Sequence, residues 1–360
     1  MTFTKALLAW YDTHKRNLPW RETKDPYKIW LSEIILQQTR IEQGLSYYNE
    51  FTRRFPDILA LAKASEREVL KLWQGLGYYS RARNLHHTAS LIAREYNGLF
   101  PAKYEELLKL KGIGEYTAAA IASIAFNEPR PVVDGNVLRF LSRHQGIDLP
   151  VDSHSVKKKI SEIAMNLMDK SKPGDFNQAM MEFGALYCKP KNPGCENCIF
   201  KTSCRAYKTG LVNSIPVKAK TITQRKRYFH YLVFLFGDHS FYLHQREGAD
   251  IWKNLYDFPL IEKDHKIPLK NIINEIRTCF RLHLEDPTDI KISKEFRHIL
   301  THQVILARFF IIPFKDKKKF RGINMAENAK WRIINIKTIN KYPVPRLIEF
   351  FFKEYQFLKK

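Results

Sequence analysis

The chain has 360 residues, long enough for two or three domains that each bury a core. Lys and Arg number 60 against 37 Asp and Glu, a formal net charge of +23, and hydrophobic residues make up 44%. This composition excludes a disordered basic tail and predicts a folded protein whose partner is a polyanion. Because no apolar stretch is long enough to span a bilayer, we expect no membrane association.

Residues 1–208 predict an all-α domain that a linker follows. Apolar side chains recur at helical spacing around Trp30 and Ile34, and residues 118–125 form an alanine-rich run of high helix propensity. Residues 209–227 are rich in Lys and Thr and have little periodicity. Such a composition is typical of a connector between domains.

Residues 228–360 predict a smaller α+β domain. Aromatic and β-branched residues fill 228–236 and 241–243, and the Gly-Asp-His between these runs predicts a hairpin turn. Residues 304–314 predict another strand, and 270–282 predict a helix.

Four of the five cysteines lie on one short loop, which indicates a metal centre rather than disulfides. Their spacing is Cys188-x6-Cys195-x2-Cys198-x5-Cys204. Four thiolates on one loop can bind zinc or an iron–sulfur cluster. Structural zinc usually pairs two Cys-x-x-Cys units, whereas this loop has one. Cys279 stands alone and is predicted to be a buried core residue.

A glycine pair precedes the alanine-rich run. Gly112 and Gly114 would let the backbone approach an anion closely, and the helix that follows offers unpaired N–H groups. The same residues also suit a tight turn between two helices, so the pair alone leaves both interpretations open.

Two carboxylates stand in contexts that suit catalysis. Glu33 lies among Trp30, Ile34 and Leu36, and a carboxyl that faces inward there would have a raised pKa and keep its proton. A glutamate at the solvent edge of an amphipathic helix would give the same pattern. Asp134 precedes a Gly-Asn pair and could simply cap the next helix.

Several of these motifs resemble those of the endonuclease III and MutY family of DNA glycosylases. They are the cysteine spacing, the glycine pair within a helix-hairpin-helix at about 107–125, and Ser-Glu-Ile-Ile-Leu-Gln-Gln-Thr at 32–39. The last string is closest to the MutY branch. The resemblance implies an all-α helix-hairpin-helix glycosylase core with a [4Fe–4S] loop at 188–204, and a C-terminal Nudix-like α+β domain.

The resemblance assigns the chemistry of adenine excision to four residues. Glu33 would protonate the everted adenine at N7, and Asp134 would stabilise the sugar cation with help from Tyr116 and Asn136. Water would then complete hydrolysis and leave an abasic site. Bifunctional relatives carry a lysine where this chain has Tyr116, and some MutY proteins carry one where it has Leu138, so we expect a monofunctional enzyme.

The resemblance also implies how the protein holds its substrate. A glycosylase must rotate the base out of the duplex and fill the gap. The base pocket would comprise Arg16, Trp20, Leu36 and Gln178; Gln38 and Tyr78 would enter the duplex, and Gly112 and Gly114 would bind phosphate. From the residues alone, Tyr78 could equally pack in the core beside a turn.

The C-terminal domain is expected to bind rather than hydrolyse, because residues 271–279 lack the acidic cluster of hydrolytic Nudix proteins. Its implied task is to sense 8-oxoguanine opposite the adenine. Leu300 and Thr301 replace the family's usual Phe and Ser, and His302 retains its histidine. Thr301 keeps a hydroxyl for hydrogen bonding.

We therefore expect an adenine DNA glycosylase that acts on adenine opposite 8-oxoguanine or guanine in duplex DNA. The protein would be a monomer in the bacterial cytoplasm, associated with the nucleoid. The alternatives are a bifunctional pyrimidine-lesion glycosylase with lyase activity, a non-catalytic iron–sulfur DNA-binding protein and a Nudix pyrophosphohydrolase. Tyr116 and the second domain disfavour the first, and the missing acidic cluster disfavours the last.

Overall fold

The computed structural model describes residues 1–217, 224–237, 239–248, 250–280, 289–314 and 331–355. The chain divides into two compact units. The first holds Met1–Ala64 and Asn84–Lys220, and the second holds Ser65–Arg83 and Thr221–Lys360. None of the helices in the described ranges is both long and apolar enough to cross a membrane.

Residues 1–208 are helical, as predicted. The helices are α1 (Phe3–His14), α2 (Pro26–Leu36), α3 (Ile41–Arg54), α4 (Ile58–Lys63), α5 (Glu66–Leu72), α6 (Ser80–Glu95), α7 (Tyr104–Leu107), α8 (Glu115–Ala125), α9 (Gly135–Gln145), α10 (His154–Leu167), α11 (Pro173–Leu186) and α12 (Arg205–Lys208). Short 3-10 turns cover Pro19–Arg21 and Cys195–Asn197. Side chains that accept a backbone N–H start several helices, as Asp25, Asp57 and Ser153 do.

Helices α1, α9 and α11 pack around an aromatic core. The rings of Phe140 and Phe183 lie 4.6 Å apart, and Leu7 and Phe176 are fully buried beside them. Burial of large apolar side chains is the main favourable contribution to folding. This core fixes the positions of the N-terminal ends of α9 and α11.

The predicted helix-hairpin-helix is formed by α7, the turn after it and α8. Gly112 has φ +82°, and a Cβ atom there would lie 2.7 Å from Cβ of Asn84. Both the left-handed backbone and the close approach therefore require glycine. Gly114 is the N-cap of α8, whose first N–H groups consequently lie next to this turn.

The second unit is built on a mixed sheet. Its strands are β1 (Arg225–Phe236), β2 (Ser240–Gln245), β3 (Tyr256–Asp257), β4 (Leu260–Lys263), β5 (Lys291–Ile292), β6 (Phe296–Ile299), β7 (Gln303–Phe314) and β8 (Trp331–Asn335). β1 pairs in parallel with β7 along its whole length and antiparallel with β2 and β4. Helices α13 (Leu269–Phe280) and α14 (Arg346–Glu354) complete the described part.

The predicted hairpin and the α+β character of this region are confirmed, with Leu235 paired to Phe241. β1 begins at Arg225, within the residues that the sequence assigns to the linker. Cys279 is exposed on α13, so the prediction of a buried core residue is wrong.

Residues 65–83 group with the second unit, although the sequence division includes them in the first domain. Lys71 Nζ donates to the carbonyl of Tyr342 at 3.2 Å, and the backbone N–H of Val344 donates to Oε1 of Gln74 at 3.2 Å. These bonds join residues far apart in sequence, which local patterns do not reveal.

Candidate active site

A cavity of about 530 Å³ opens in the first unit, between α2, α8, α9 and α11. Its lining includes all the predicted catalytic and base-pocket residues and one predicted wedge residue: Arg16, Trp20, Glu33, Leu36, Gln38, Tyr116, Asp134, Asn136 and Gln178. Pockets for small ligands have this size. The structure thus joins sequence motifs that are more than a hundred residues apart.

Glu33 lies on α2 at one wall of the cavity and is only 8% exposed. The Tyr116 hydroxyl donates to its Oε2 atom at 2.5 Å. Burial raises the pKa of Glu33 to about 7, and the charge of Asp134 acts in the same direction, whereas the Tyr116 hydrogen bond and Arg21 oppose the rise. A carboxyl with this pKa can donate a proton near neutral pH.

Asp134 is the N-cap of α9. Oδ1 accepts the backbone N–H groups of Asn136 at 2.9 Å and Val137 at 2.8 Å, and Oδ2 accepts Nδ2 of Asn136 at 2.6 Å. Burial raises the pKa of Asp134, while these three donors favour its ionised form. Helix capping and a role in the cavity are therefore compatible.

The cavity also holds a charge cluster that the sequence interpretation missed. Glu182 is 1% exposed and accepts Nη2 of Arg16 at 2.5 Å and Nη2 of Arg21 at 2.7 Å. These hydrogen bonds and charges overcome burial and lower the pKa of Glu182 to about 2. Its position one helical turn after Gln178 on α11 could have predicted that both side chains share a face.

The remaining predicted DNA-contact residues have distinctive backbone or surface positions. Gln38 and Tyr78 have positive φ angles of 57° and 45°, which residues other than glycine rarely adopt. Tyr78 is 45% exposed, and in the second unit its hydroxyl lies 3.1 Å from Oγ1 of Thr301. Thr301 and His302 are both exposed.

The four loop cysteines line one small cavity of about 30 Å³ and form no disulfide. Arg143 Nη1 donates to Sγ of Cys188 at 3.5 Å. No three His, Cys, Asp or Glu side chains of the described ranges lie close enough together to hold a single metal ion. Four thiols on one short loop are a donor set that suits either a zinc ion or a four-iron cluster.

The fold and the cavity define a base excision repair protein of the helix-hairpin-helix class. Residues 31–166 match the HhH-GPD superfamily of base excision DNA repair proteins, and residues 230–354 match the NUDIX domain. A thermostable thymine-DNA glycosylase of known structure superposes with a TM-score of 0.53 and 30% identity, over 57% of this chain and 95% of that one.

Curated relatives narrow the class. The adenine DNA glycosylase of Buchnera aphidicola subsp. Baizongia pistaciae is 35% identical over 305 residues, which are 84% of this chain and 83% of the relative. The enzyme of the same name from Buchnera aphidicola subsp. Acyrthosiphon pisum is 32% identical over 96% of this chain and 95% of its own. The chain belongs to the adenine DNA glycosylase family, and it is a DNA repair enzyme.

Proposed function

We propose that this enzyme removes adenine opposite 8-oxoguanine or guanine in duplex DNA by hydrolysis of the N-glycosidic bond. The observation that carries the proposal is the buried Glu33 carboxyl, with a pKa of about 7, in a cavity large enough for a base. Family membership and the net charge of +23 support DNA as the partner. Because the substrate is chromosomal DNA, we expect it to act in the cytoplasm at the nucleoid.

Glu33 serves as the general acid. Adenine leaves poorly as an anion, and a proton delivered to N7 lets it leave as a neutral base. With a pKa of about 7, about half of the Glu33 carboxyls carry that proton at neutral pH. The Tyr116 phenol remains protonated, because burial raises its pKa well above the ordinary value, and so it keeps donating to Glu33.

Asp134 stabilises the sugar cation that forms as the base departs. Its three hydrogen-bond donors favour a carboxylate, and a negative charge fixed in a buried site lowers the energy of a nearby oxocarbenium ion. Asn136 contributes two of those donors and so orients the carboxylate. Attack by water completes the reaction and leaves an abasic site.

The enzyme is monofunctional. A phenol cannot form the Schiff base through which bifunctional glycosylases cut the strand. Tyr116 occupies the position next to Glu33, and within the described residues no lysine lines the cavity.

Recognition of 8-oxoguanine belongs to the second unit. Tyr78, the proposed wedge, and Thr301, the proposed sensor, present hydroxyl groups 3.1 Å apart on one exposed surface. His302 follows directly and is exposed. Both hydroxyls can form hydrogen bonds with an 8-oxoguanine base, and the left-handed backbone at Tyr78 is compatible with its exposed position.

The loop at 188–204 binds a [4Fe–4S] cluster through Cys188, Cys195, Cys198 and Cys204. The shared cavity of the four free thiols supports this assignment. The cluster would hold the loop together through iron–thiolate bonds and supplies no atom to the glycosidic step. Purified protein should be brown, and a colourless protein that contains stoichiometric zinc would overturn the assignment.

The decisive assay is alkali-revealed cleavage of a duplex with adenine opposite 8-oxoguanine. Wild-type protein should yield an alkali-labile site, and Glu33→Gln should not. Thr301→Val should reduce the preference for 8-oxoguanine over guanine without abolishing excision opposite guanine.

Each alternative predicts a different experimental outcome. Strand breaks before alkali, together with borohydride trapping, would indicate a bifunctional lyase. Intact adenine with wild-type protein would indicate a non-catalytic binding protein. Equal cleavage by wild type and Glu33→Gln would show that Glu33 is not the acid, and consumption of 8-oxo-dGTP would indicate a Nudix hydrolase.

A further inference from the structure

A buried hydrogen bond behind the base cavity links α1 to α11. The Tyr11 hydroxyl lies 2.7 Å from Oε1 of Gln178. Tyr11 is 3% exposed, and Gln178 is 8% exposed and lines the cavity, whereas Tyr11 does not. Tyr11 therefore contacts a residue of the base pocket from outside the pocket.

The bond fixes which end of the Gln178 carboxamide faces the cavity. Among the described residues, Tyr11 has no other acceptor for its hydroxyl, and Nε2 of Gln178 has no acceptor at all. A carboxamide rotated by 180° would turn Nε2 toward the phenol oxygen and leave the phenol hydrogen buried without a partner. The orientation with Oε1 at Tyr11 and Nε2 toward the cavity avoids that cost.

The phenol is also a permanent donor. Burial raises the pKa of Tyr11 to about 12, so the hydroxyl keeps its hydrogen throughout the range in which the enzyme would act. The Arg21 guanidinium lies 5.6 Å from the centroid of the Tyr11 ring and also binds Glu182, which holds the ring beside the pocket wall.

We propose that Tyr11 is a specificity-determining positioning residue that acts through Gln178. The fixed carboxamide presents a donor, Nε2, beside the second lone pair of Oε1, an acceptor. Adenine offers the complementary pair of the N1 acceptor beside the 6-amino donor, whereas hypoxanthine carries a hydrogen on N1 beside the O6 acceptor. The orientation thus favours adenine over hypoxanthine. This inference rests on the proposed function, since it requires adenine in this cavity.

The test compares single-turnover excision of adenine and of hypoxanthine, each opposite 8-oxoguanine, by wild type and Tyr11→Phe. Without the hydroxyl the carboxamide can rotate, so the adenine-to-hypoxanthine rate ratio should fall by about tenfold, the discrimination of one good hydrogen-bonded pair. Affinity for DNA that carries a tetrahydrofuran abasic analogue should stay unchanged, because that ligand has no base. An unchanged ratio overturns the proposal.

Two controls separate positioning from a general structural role. Tyr27→Phe removes an equally buried hydroxyl, which donates to the Phe55 carbonyl at 2.7 Å away from the cavity, and it should leave the ratio unchanged. In a Gln178→Leu background, Tyr11→Phe should have no further effect. A further loss there, or a parallel loss of abasic-analogue binding, would show that Tyr11 does not act through Gln178.

Failure of the proposed function gives a different result. If wild-type protein excises neither base, the proposed function and this inference fall together. If wild type excises adenine and the ratio does not respond to Tyr11→Phe, only the role of Tyr11 is refuted.

Discussion

Two buried glutamates line the cavity, and their pKa values are shifted in opposite directions. Glu33 meets a neutral phenol, and its pKa is raised to about 7. Glu182 meets two guanidinium groups, and its pKa is lowered to about 2. Near neutral pH the first is an acid ready to donate, and the second is a fixed negative charge.

Burial alone does not explain the contrast, because removal from water raises the pKa of both carboxyls. The distance between each carboxyl and the arginine side chains determines the direction of its pKa shift. Glu182 touches the guanidinium groups of Arg16 and Arg21 at 2.5–2.9 Å, whereas Arg21 affects Glu33 only as a weaker, more distant charge. A single cavity thus separates a proton donor from a structural anion, as catalytic sites with two carboxyls often do.

Glu33→Gln and Glu182→Gln should have different effects, and the larger is the loss of excision activity in Glu33→Gln. Glu33→Gln replaces an uncharged acid by an uncharged amide, so excision should fall by about 10³-fold while the free energy of unfolding at pH 6 changes little. Single-turnover excision and urea unfolding at pH 6 measure the two effects. Activity within tenfold of wild type would contradict the assigned role.

The effect of Glu182→Gln should be mainly on stability. The variant leaves two guanidinium groups without their carboxylate and should lower the free energy of unfolding by about 3 kcal/mol. Urea unfolding measures the loss, and Glu50→Gln, which removes an exposed ion pair with Arg53, should show no measurable change. Equal stability of Glu182→Gln and wild type would refute the ion-pair account.

The loss of stability in Glu182→Gln should depend on pH. Because folding lowers the pKa of Glu182 from its ordinary 4.5 to about 2, its stabilisation is full above pH 4.5 and is lost as the pH falls toward 2. The stability gap between wild type and Glu182→Gln should therefore narrow over that range. A stability gap that widens on acidification would contradict the lowered pKa of Glu182.

Tyr116→Phe should have the smallest effect, a change in the excision rate of about tenfold or less. The Tyr116 hydroxyl stabilises the Glu33 carboxylate and lowers its pKa, so the variant should raise that pKa and move the alkaline limb of the pH–rate profile upward. Tyr27→Phe is the matched control and should leave the limb in place. A limb that moves to lower pH would contradict the geometry.

The sequence predicted the residues around Glu33 more fully than the charge cluster around Glu182. Glu33, Tyr116 and Asp134 lie in short strings whose neighbours indicate their context, and they meet in the structure as expected. Glu182 and Arg21 are 161 positions apart, and no local pattern marks them as partners. Arg16, predicted for the base pocket, lines the cavity, and its guanidinium is also bonded to Glu182, which the sequence did not indicate.

The fold shows the same division between local and long-range information. Helical and alternating patterns predicted the secondary structure of both regions, because those patterns depend on neighbouring residues. The grouping of Ser65–Arg83 with the second unit depends on bonds such as Lys71 to Tyr342, 271 positions away. An amphipathic helix predicts that one face is buried but does not identify the surface that buries it.

A titration of the Glu33 side-chain carboxyl tests whether this residue holds the proton that general acid catalysis requires. Carbon-13 NMR of the free protein, with the resonance assigned by its absence in Glu33→Gln, should show a midpoint near pH 7. Burial raises the pKa of Glu33 more than the Tyr116 hydrogen bond lowers it, so the carboxyl should still be protonated at pH 6. A midpoint near the ordinary glutamate value of 4.5 would mean that Glu33 is ionised when adenine arrives, and the proposed acid catalysis would be wrong.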